Sequence, residues 1–174
     1  QNLNWKLNSE GTLTISGTGE MENYTTDYGH NYQDVPWYEN CKKIKKVIIQ
    51  SGVTSIGGKA FQDCSSLTSI TIPEGVTSIG EYTFNGCSSL TNMTLPKGVK
   101  NIGYSAFENC SSLTSVTIPE GVTSIGYSAF EDCSSLASIT LPQGTMHIGY
   151  RTFSGCDSLT NIIIPESVTS IESE

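Results

Sequence analysis

A repeat of 23 residues constrains this chain more than any other feature of its sequence. Six cysteines stand at that constant spacing, at positions 41, 64, 87, 110, 133 and 156. A fixed period of this size is typical of a solenoid, in which one supersecondary unit is copied and stacked on itself. We therefore divide the chain into an N-terminal cap, residues 1–40, and a solenoid, residues 41–174. The solenoid holds five full repeats from Cys41 and a partial one from Cys156.

Each repeat predicts one main strand. Counted from the cysteine, leucine or isoleucine occupies position three, and apolar residues recur at positions six and eight, as in Leu67, Ile70 and Ile72. Positions six and eight are one residue apart, so in a strand both side chains lie on one face. Pro73 ends the strand, and Gly75 allows the chain to turn. Leu-x-x-Ile-x-Ile is a leucine-rich-repeat strand segment, and stacked copies predict a parallel sheet of six strands.

The second half of the repeat predicts narrow elements on the opposite side. Val76 and Ile79 indicate a second short extended segment, and Thr83-Phe84 fits a single helical or 3-10 turn whose Phe fills the core. Such a turn is too short for a stable helix of its own. The predicted fold class is α/β: a right-handed leucine-rich-repeat solenoid with a parallel β-sheet on one side and short strands and 3-10 turns on the other.

The cap carries a β-hairpin pattern. Trp5-Lys6-Leu7 and Leu13-Thr14-Ile15 alternate apolar and polar residues around a glycine-bearing turn. Because a solenoid exposes the apolar end of its stack, we expect the hairpin to cover the first repeat. An aromatic-rich segment follows at 17–40. It either packs over the edge of the cap, which we favour, or forms a recognition surface; its rings are Tyr24, Tyr28, Tyr32, Trp37 and Tyr38.

Three motifs carry a family resemblance over nearly the whole chain. They are G-T-L-T-I-S-G-T-G-E-M at 11–21, Pro36-Trp37, and the repeated I-P-E-G-V-T-S-I-G-x-x-A-F-x-x-C. Together they resemble the BspA-type leucine-rich repeats. The resemblance implies a secreted or surface-anchored bacterial protein, hence an extracellular or cell-surface location and a binding or adhesion role toward a host or cell-surface protein or glycan. The alternative is a passive spacer or scaffold domain of a larger surface protein. The resemblance names no ligand.

Two surfaces are candidates for ligand binding. Positions five and seven of the main strand point outward and form a polar face, made of Ser69, Thr71, Asn92, Thr94, Ser115, Thr117, Ser138 and Thr140. Rows of this kind also stabilise a sheet by themselves. A tyrosine column stands at position seventeen, with one member displaced by a residue: Tyr82, Tyr104, Tyr127 and Tyr150. Its rings either cover an edge of the core, which we favour, or offer a contact stripe.

The cysteines are expected to be buried free thiols. Equivalent atoms of stacked coils are about 4.8 Å apart with parallel Cα–Cβ bonds, whereas a disulfide needs converging Cβ atoms about 3.8 Å apart. A metal site is not expected either, because zinc requires four convergent ligands. His30 and His147 belong to no catalytic motif, and the sequence contains no pattern that indicates a nucleophile or a phosphate-binding loop. We expect no cofactor and no catalysis.

Charge limits the partners. The net charge of −8 disfavours nucleic acid and anionic membranes. Membrane insertion is not expected, since no apolar run approaches the roughly 18–20 residues that span a bilayer. Lys42, Lys43, Lys45 and Lys46 form one basic tract. It either docks an anionic partner or is a solvated patch guarding the start of the sheet, which we favour.

The last repeat departs from the pattern. Ile163 stands where the middle copies have Thr at position seven, and Ile164 and Ile171 lie in the same coil. An uncovered solenoid end is a pairing edge. Either more chain follows in the natural protein, or residues 156–174 pair with a second copy to form a homodimer.

Overall fold

The structure is a computed structural model that describes residues 2–24 and 32–172. Tyr28 and His30 lie outside the described residues. Each repeat forms one coil with three sides, and the coils stack in register. The helical part of the expected α/β class is small: within the described ranges it consists of two 3-10 helices, Tyr32–Asp34 and Tyr38–Lys43. The molecule is a solenoid built mainly of short parallel strands.

The predicted hairpin cap is confirmed. Strands β1 (Leu3–Leu7) and β2 (Thr12–Gly17) pair antiparallel. Strand β2 then pairs in parallel with β4 (Lys46–Ile49), and β3 (Gly19–Glu20) pairs with β5 (Val53–Ser55). The cap thus extends two sides of the first coil. Its Leu13 and Ile15 are buried, as expected, but Trp5 is 42% exposed and only partly covers the first repeat.

The main strands of the next four repeats are β6 (Ser69–Thr71), β8 (Asn92–Thr94), β10 (Ser115–Thr117) and β12 (Ser138–Thr140). The expectation of one continuous six-stranded sheet is wrong in two respects. The described strands form two sheets, β1-β2-β4-β6 and β8-β10-β12, with no ladder between β6 and β8. In the sixth repeat, residues 161–165 adopt no strand. That coil packs against one neighbour only, and its Leu159 and Ile162 are half-buried.

The second extended segment of each repeat is confirmed. It forms a five-stranded parallel sheet of β7 (Ser78–Ile79), β9 (Asn101–Ile102), β11 (Ser124–Ile125), β13 (His147–Ile148) and β14 (Ser170–Ile171). An isolated bridge from Ile56 to Ile79 continues the pairing to the first coil.

The third side contains the turn that the sequence predicts at Thr83-Phe84, although residues 81–86 form hydrogen-bonded turns and not a helix. The ladder of hydrogen bonds that joins these turns between coils was not predicted. In the second coil the N–H groups of Tyr82, Phe84 and Gly86 donate to carbonyls of the next coil at 2.8, 2.8 and 2.9 Å. Alternate N–H groups therefore all point toward the C-terminal end. The geometry requires positive φ at positions eighteen and twenty-two, as at Tyr82 (54°) and Gly86 (73°). This side runs without interruption past the gap between β6 and β8.

Aromatic stacking fills the core behind these turns, as the repeat predicts. Phe61, Phe84, Phe107 and Phe130 are fully buried. Neighbouring rings stack with centroids 5.2–5.5 Å apart. At the N-terminal end Trp37 continues the stack on Phe61 at 5.7 Å.

Candidate binding surfaces

The polar sheet face is flat, neutral and in register. Strands β8, β10 and β12 align Asn92, Ser115 and Ser138 in one row and Thr94, Thr117 and Thr140 in the next. All of these side chains are exposed except Ser115, which is half-buried. Ser69 and Thr71 are exposed on β6, across the gap in the sheet. No member of the face carries a charge.

Asn92 organises the side-chain hydrogen bonds of this face. Its Oδ1 accepts from Ser115 Oγ at 2.8 Å and from Thr114 Oγ1 at 3.3 Å. Its Nδ2 donates to Thr91 Oγ1 at 3.3 Å. These contacts hold the short side chains between β8 and β10 in one arrangement, which contributes to sheet stability and also orders the surface.

The tyrosine column lies on a different side of the coil. In each repeat it follows the strand of the second sheet, whereas the polar sheet face belongs to the main strands. Tyr104 and Tyr127 are 38% and 48% exposed, whereas Tyr82 and Tyr150 are half-buried.

Each tyrosine already has a neighbour within the chain. Tyr82 meets Tyr104 edge-to-face with centroids 4.9 Å apart. Arg151 lies 5.3 Å above the ring of Tyr150. Tyr127 donates to Glu172 Oε1 at 3.1 Å, and this hydrogen bond raises the pKa of its phenol. Burial raises the pKa of Tyr82, and the hydrogen bond with Tyr104 raises it further.

The expectation of six free thiols is wrong for the first pair. Cys41 and Cys64 form a disulfide, with Cα atoms 4.7 Å apart, a separation within the range that disulfides tolerate. Cys41 belongs to the 3-10 helix Tyr38–Lys43 at the end of the stack. It has no preceding repeat whose backbone would hold its sulfur, so the side chain can turn toward Cys64.

The other four cysteines are buried free thiols, as expected, and their sulfurs are hydrogen-bonded. Cys87, Cys110, Cys133 and Cys156 each donate to the carbonyl of the Phe three residues before the preceding cysteine, at 3.1–3.2 Å. Burial raises the pKa of all four, to about 11 for Cys156. The protonated thiol is therefore the form that joins neighbouring coils.

Outside these surfaces, the described residues offer few groups for metal binding or catalysis. Within residues 2–24 and 32–172, no three His, Cys, Asp or Glu side chains are placed to hold a metal ion. His147 Nδ1 lies 2.7 Å from Ser170 Oγ on the exposed face of the second sheet. Over the same ranges no helix is both long and apolar enough to cross a bilayer.

The C-terminal coil exposes its isoleucines. Ile163, Ile164 and Ile171 are 80%, 40% and 58% exposed. All three belong to the last described coil. Ile163 and Ile164 lie in its main-strand segment, and Ile171 lies in β14 of the second sheet.

A stack of short parallel strands with a hairpin cap defines a solenoid repeat protein. The sequence matches the model of the BspA type leucine rich repeat region, in six copies, over residues 34–145. The chain belongs to this family. Comparison with curated protein sequences finds no match.

Solved structures share the fold. A leucine-rich repeat protein of T. pallidum is 26% identical, with 99% of this chain and 83% of that chain covered and a TM-score of 0.78. One from Bacteroides ovatus is 32% identical, with 98% and 48% covered and a TM-score of 0.74. A leucine rich cell surface protein from Faecalibacterium prausnitzii is 25% identical, with 92% and 52% covered and a TM-score of 0.55. The chain spans about half the length of the last two.

Proposed function

We propose that this protein is an extracellular or cell-surface adhesion module, without catalysis, whose polar sheet face binds a protein or glycan on a host or neighbouring cell. The observation that carries the proposal is the neutral, in-register face of β8, β10 and β12. Burying short neutral side chains under a partner costs little conformational entropy and leaves no charge to desolvate. The family relationship supports an interaction role in general, and one relative is described as a cell surface protein.

The disulfide supports the location. Disulfides persist in oxidising environments and are rare in the cytosol. The Cys41–Cys64 bond therefore favours an extracellular or surface position. The same coil carries the cap, so oxidation would secure the end of the stack on which the other coils are built.

The sheet face is tested with three lysines. T94K/T117K/T140K places long charged side chains along the face, and the control T54K/T77K/T123K adds the same charge on the second side. These control threonines are exposed, and Lys100 occupies the equivalent position in another coil. Binding of both variants to host matrix proteins, to glycan arrays and to whole cells is measured. We expect the sheet variant to lose about tenfold in affinity or more, and the control to keep its binding.

Two outcomes count against the proposal. Loss of binding in Y104S/Y127S/Y150S, with T94K/T117K/T140K unaffected, would move the site to the tyrosine column. Absence of binding to any matrix protein, glycan or cell would favour a passive spacer in a longer surface protein. Side chains of the sheet face already hydrogen-bond to one another, as a spacer without a partner would require.

We further propose that the exposed isoleucines of the last coil mediate homodimer formation through the C-terminal edge. Ile163 carries this proposal, because a largely exposed apolar side chain gains by burial. Sedimentation at rising concentration tests it, and a species that remains monomeric would overturn it.

A further inference from the structure

The basic tract Lys42, Lys43, Lys45 and Lys46 lies beside a polar cleft between the cap and the first coil. The cleft has a volume of about 620 Å³, within the usual range of small-ligand sites. The hairpin turn forms one wall and the 3-10 helix Tyr38–Lys43 the other. Its lining consists of Leu7, Asn8, Ser9, Glu10, Gly11, Asn40, Lys42, Lys43 and Lys45.

The charge of this cleft is opposite to that of the rest of the molecule. Its lining carries three lysines and one acid, Glu10, which gives +2. The whole chain carries −8; without the four lysines of the tract, five basic residues remain against 17 acids, a balance of −12. All four lysines are exposed, and none makes an ion pair with a described residue. They are thus available to an external anion.

The backbone of the cleft is held in place by the turn. Asn8 Oδ1 accepts from the N–H groups of Glu10 and Thr12 at 3.1 and 2.8 Å. The carbonyl of Gly11 accepts from the N–H groups of Lys45 and Lys46 at 2.8 and 3.2 Å. A Cβ at Gly11 would stand 2.5 Å from the carbonyl oxygen of Lys43, so only glycine lets the two walls approach this closely. The lysines are therefore presented from a fixed frame.

The lining chemistry selects among anions. Asn8, Ser9 and Asn40 offer amide and hydroxyl groups, and Leu7 is the one apolar residue. Protein interfaces rely on buried aromatic or apolar anchors, which this cleft lacks. Sugar hydroxyls match its amides, and sulfate or carboxylate groups match its lysines. The acidic surroundings repel any polyanion that extends far beyond the cleft.

We propose that this cleft is a second binding site, distinct from the polar sheet face, for a short segment of an acidic glycan bearing sulfate or uronate groups. The site uses the cap and the first coil only. The test of the cleft is therefore independent of the test of the sheet-face proposal.

The test measures binding of the intact chain to a sulfated heparin-derived hexasaccharide. A counterpart of equal length without sulfate or carboxylate groups, inorganic sulfate and a short DNA duplex serve as comparison probes. We expect the sulfated hexasaccharide to bind, with amide chemical shifts changing at residues 8–11 and 40–46. Raising the salt concentration should weaken the binding, because charged contacts are screened.

Matched variants locate the site. K42Q/K43Q and K97Q/K100Q each remove two exposed lysines, the second pair from another part of the solenoid. We expect about a tenfold loss of affinity in the first pair and less than about twofold in the second. N40D should weaken binding, whereas N101D, an equal charge change on β9, should not. Unchanged thermal melting would show that all four variants remain folded.

The proposal is overturned by any of four results. Equal losses in the two lysine pairs would mean that only net charge matters. Equal binding of the DNA duplex would indicate nonspecific attraction of polyanions. Equal binding of the uncharged counterpart, or shifts confined to the sheet face, would show that the lysines of the cleft are not the recognition element.

Discussion

The first and the last described coils share one repeat but differ in how they are covered. At the N-terminal end the hairpin extends two sides of the stack, and Trp37, 3% exposed, continues the Phe column. At the C-terminal end Phe153 is half-buried, the main strand of the last repeat is not formed, and Ile163 is 80% exposed. The last described coil is therefore less buried than the first.

Each coil owes its order to its neighbours. In a solenoid, stability is approximately the sum of intrinsic repeat terms and nearest-neighbour interfaces. The first coil has a substitute neighbour in the cap, including a buried hydrogen bond of 2.8 Å from Trp37 Nε1 to the carbonyl of Ala60. The last described coil has an interface on one face only. Substitutions of equal chemistry should thus cost more at the first end than at the last.

Truncation of the stacked rings should give the largest contrast. We expect W37A to lower the free energy of unfolding by about 3–5 kcal/mol, as for buried aromatic residues in general. F153A should cost clearly less, because part of its ring is already in water. Urea unfolding followed by circular dichroism measures both. Equal losses would contradict the idea that the cap completes the first coil.

Removal of the disulfide should cause the next largest loss of stability. C41S/C64S frees a loop of 23 residues, and the expected loss is about 3 kcal/mol by chain entropy. The control is C133S in the column of free thiols. Its hydroxyl can donate to the carbonyl of Phe107 as the thiol does, so we expect a loss of about 1 kcal/mol. An unchanged unfolding midpoint after reduction of the wild-type protein would show that the disulfide does not stabilise the fold.

The free thiols should differ in reactivity along the stack. Burial raises the pKa of Cys156 to about 11, and that of Cys110, deeper in the stack, well above its ordinary value. Iodoacetamide at mildly alkaline pH, followed by mass spectrometry, should therefore label Cys156 first. Labelling of Cys110 at the same rate would show that the C-terminal end is no more open than the middle.

The raised pKa of Cys156 also determines how the stability of the fold changes with pH. The folded state holds the thiol proton more tightly than the unfolded chain does, whose thiol pKa is about 8.5. The stabilisation is therefore fully present below that pH. It is lost as pH rises through the folded pKa of Cys156 at about 11. Unfolding in urea between neutral and alkaline pH measures the decline, and replacing Cys156 with Ser should reduce it.

Sequence periodicity predicted the sides of the coil that obey simple rules. Spacing of two in Ile70 and Ile72 indicates a strand, and a single Phe84 per repeat indicates a core plug. The turn ladder was missed although part of its signal is visible. Position twenty-two holds Asp63, Gly86, Asn109, Asp132 and Gly155, the residue types that best tolerate positive φ.

Other features carry no such signal. Position eighteen also has positive φ, yet its residues include Lys59, Tyr82 and Arg151, which do not favour that conformation. At Lys59 and Tyr82 the N–H group donates to a carbonyl of the next coil. The Cys41–Cys64 bond depends on the absence of a regular preceding coil, which periodicity alone does not show. The candidate surfaces were predicted as residue columns, but their placement on different sides of the coil depends on how the coil closes.

The smallest effect should come from the outward isoleucines at position seven. Ile48 is half-buried beside Thr14 of the cap strand, whereas Ile163 is 80% exposed. We expect I48T to cost about 1 kcal/mol and I163T to change stability by less than about 0.5 kcal/mol. Sedimentation velocity on the same two variants separates packing from association. If the C-terminal edge pairs with a second copy, I163T should lower the dimer fraction while I48T leaves it unchanged; equal stability losses would show instead that both ends are equally covered.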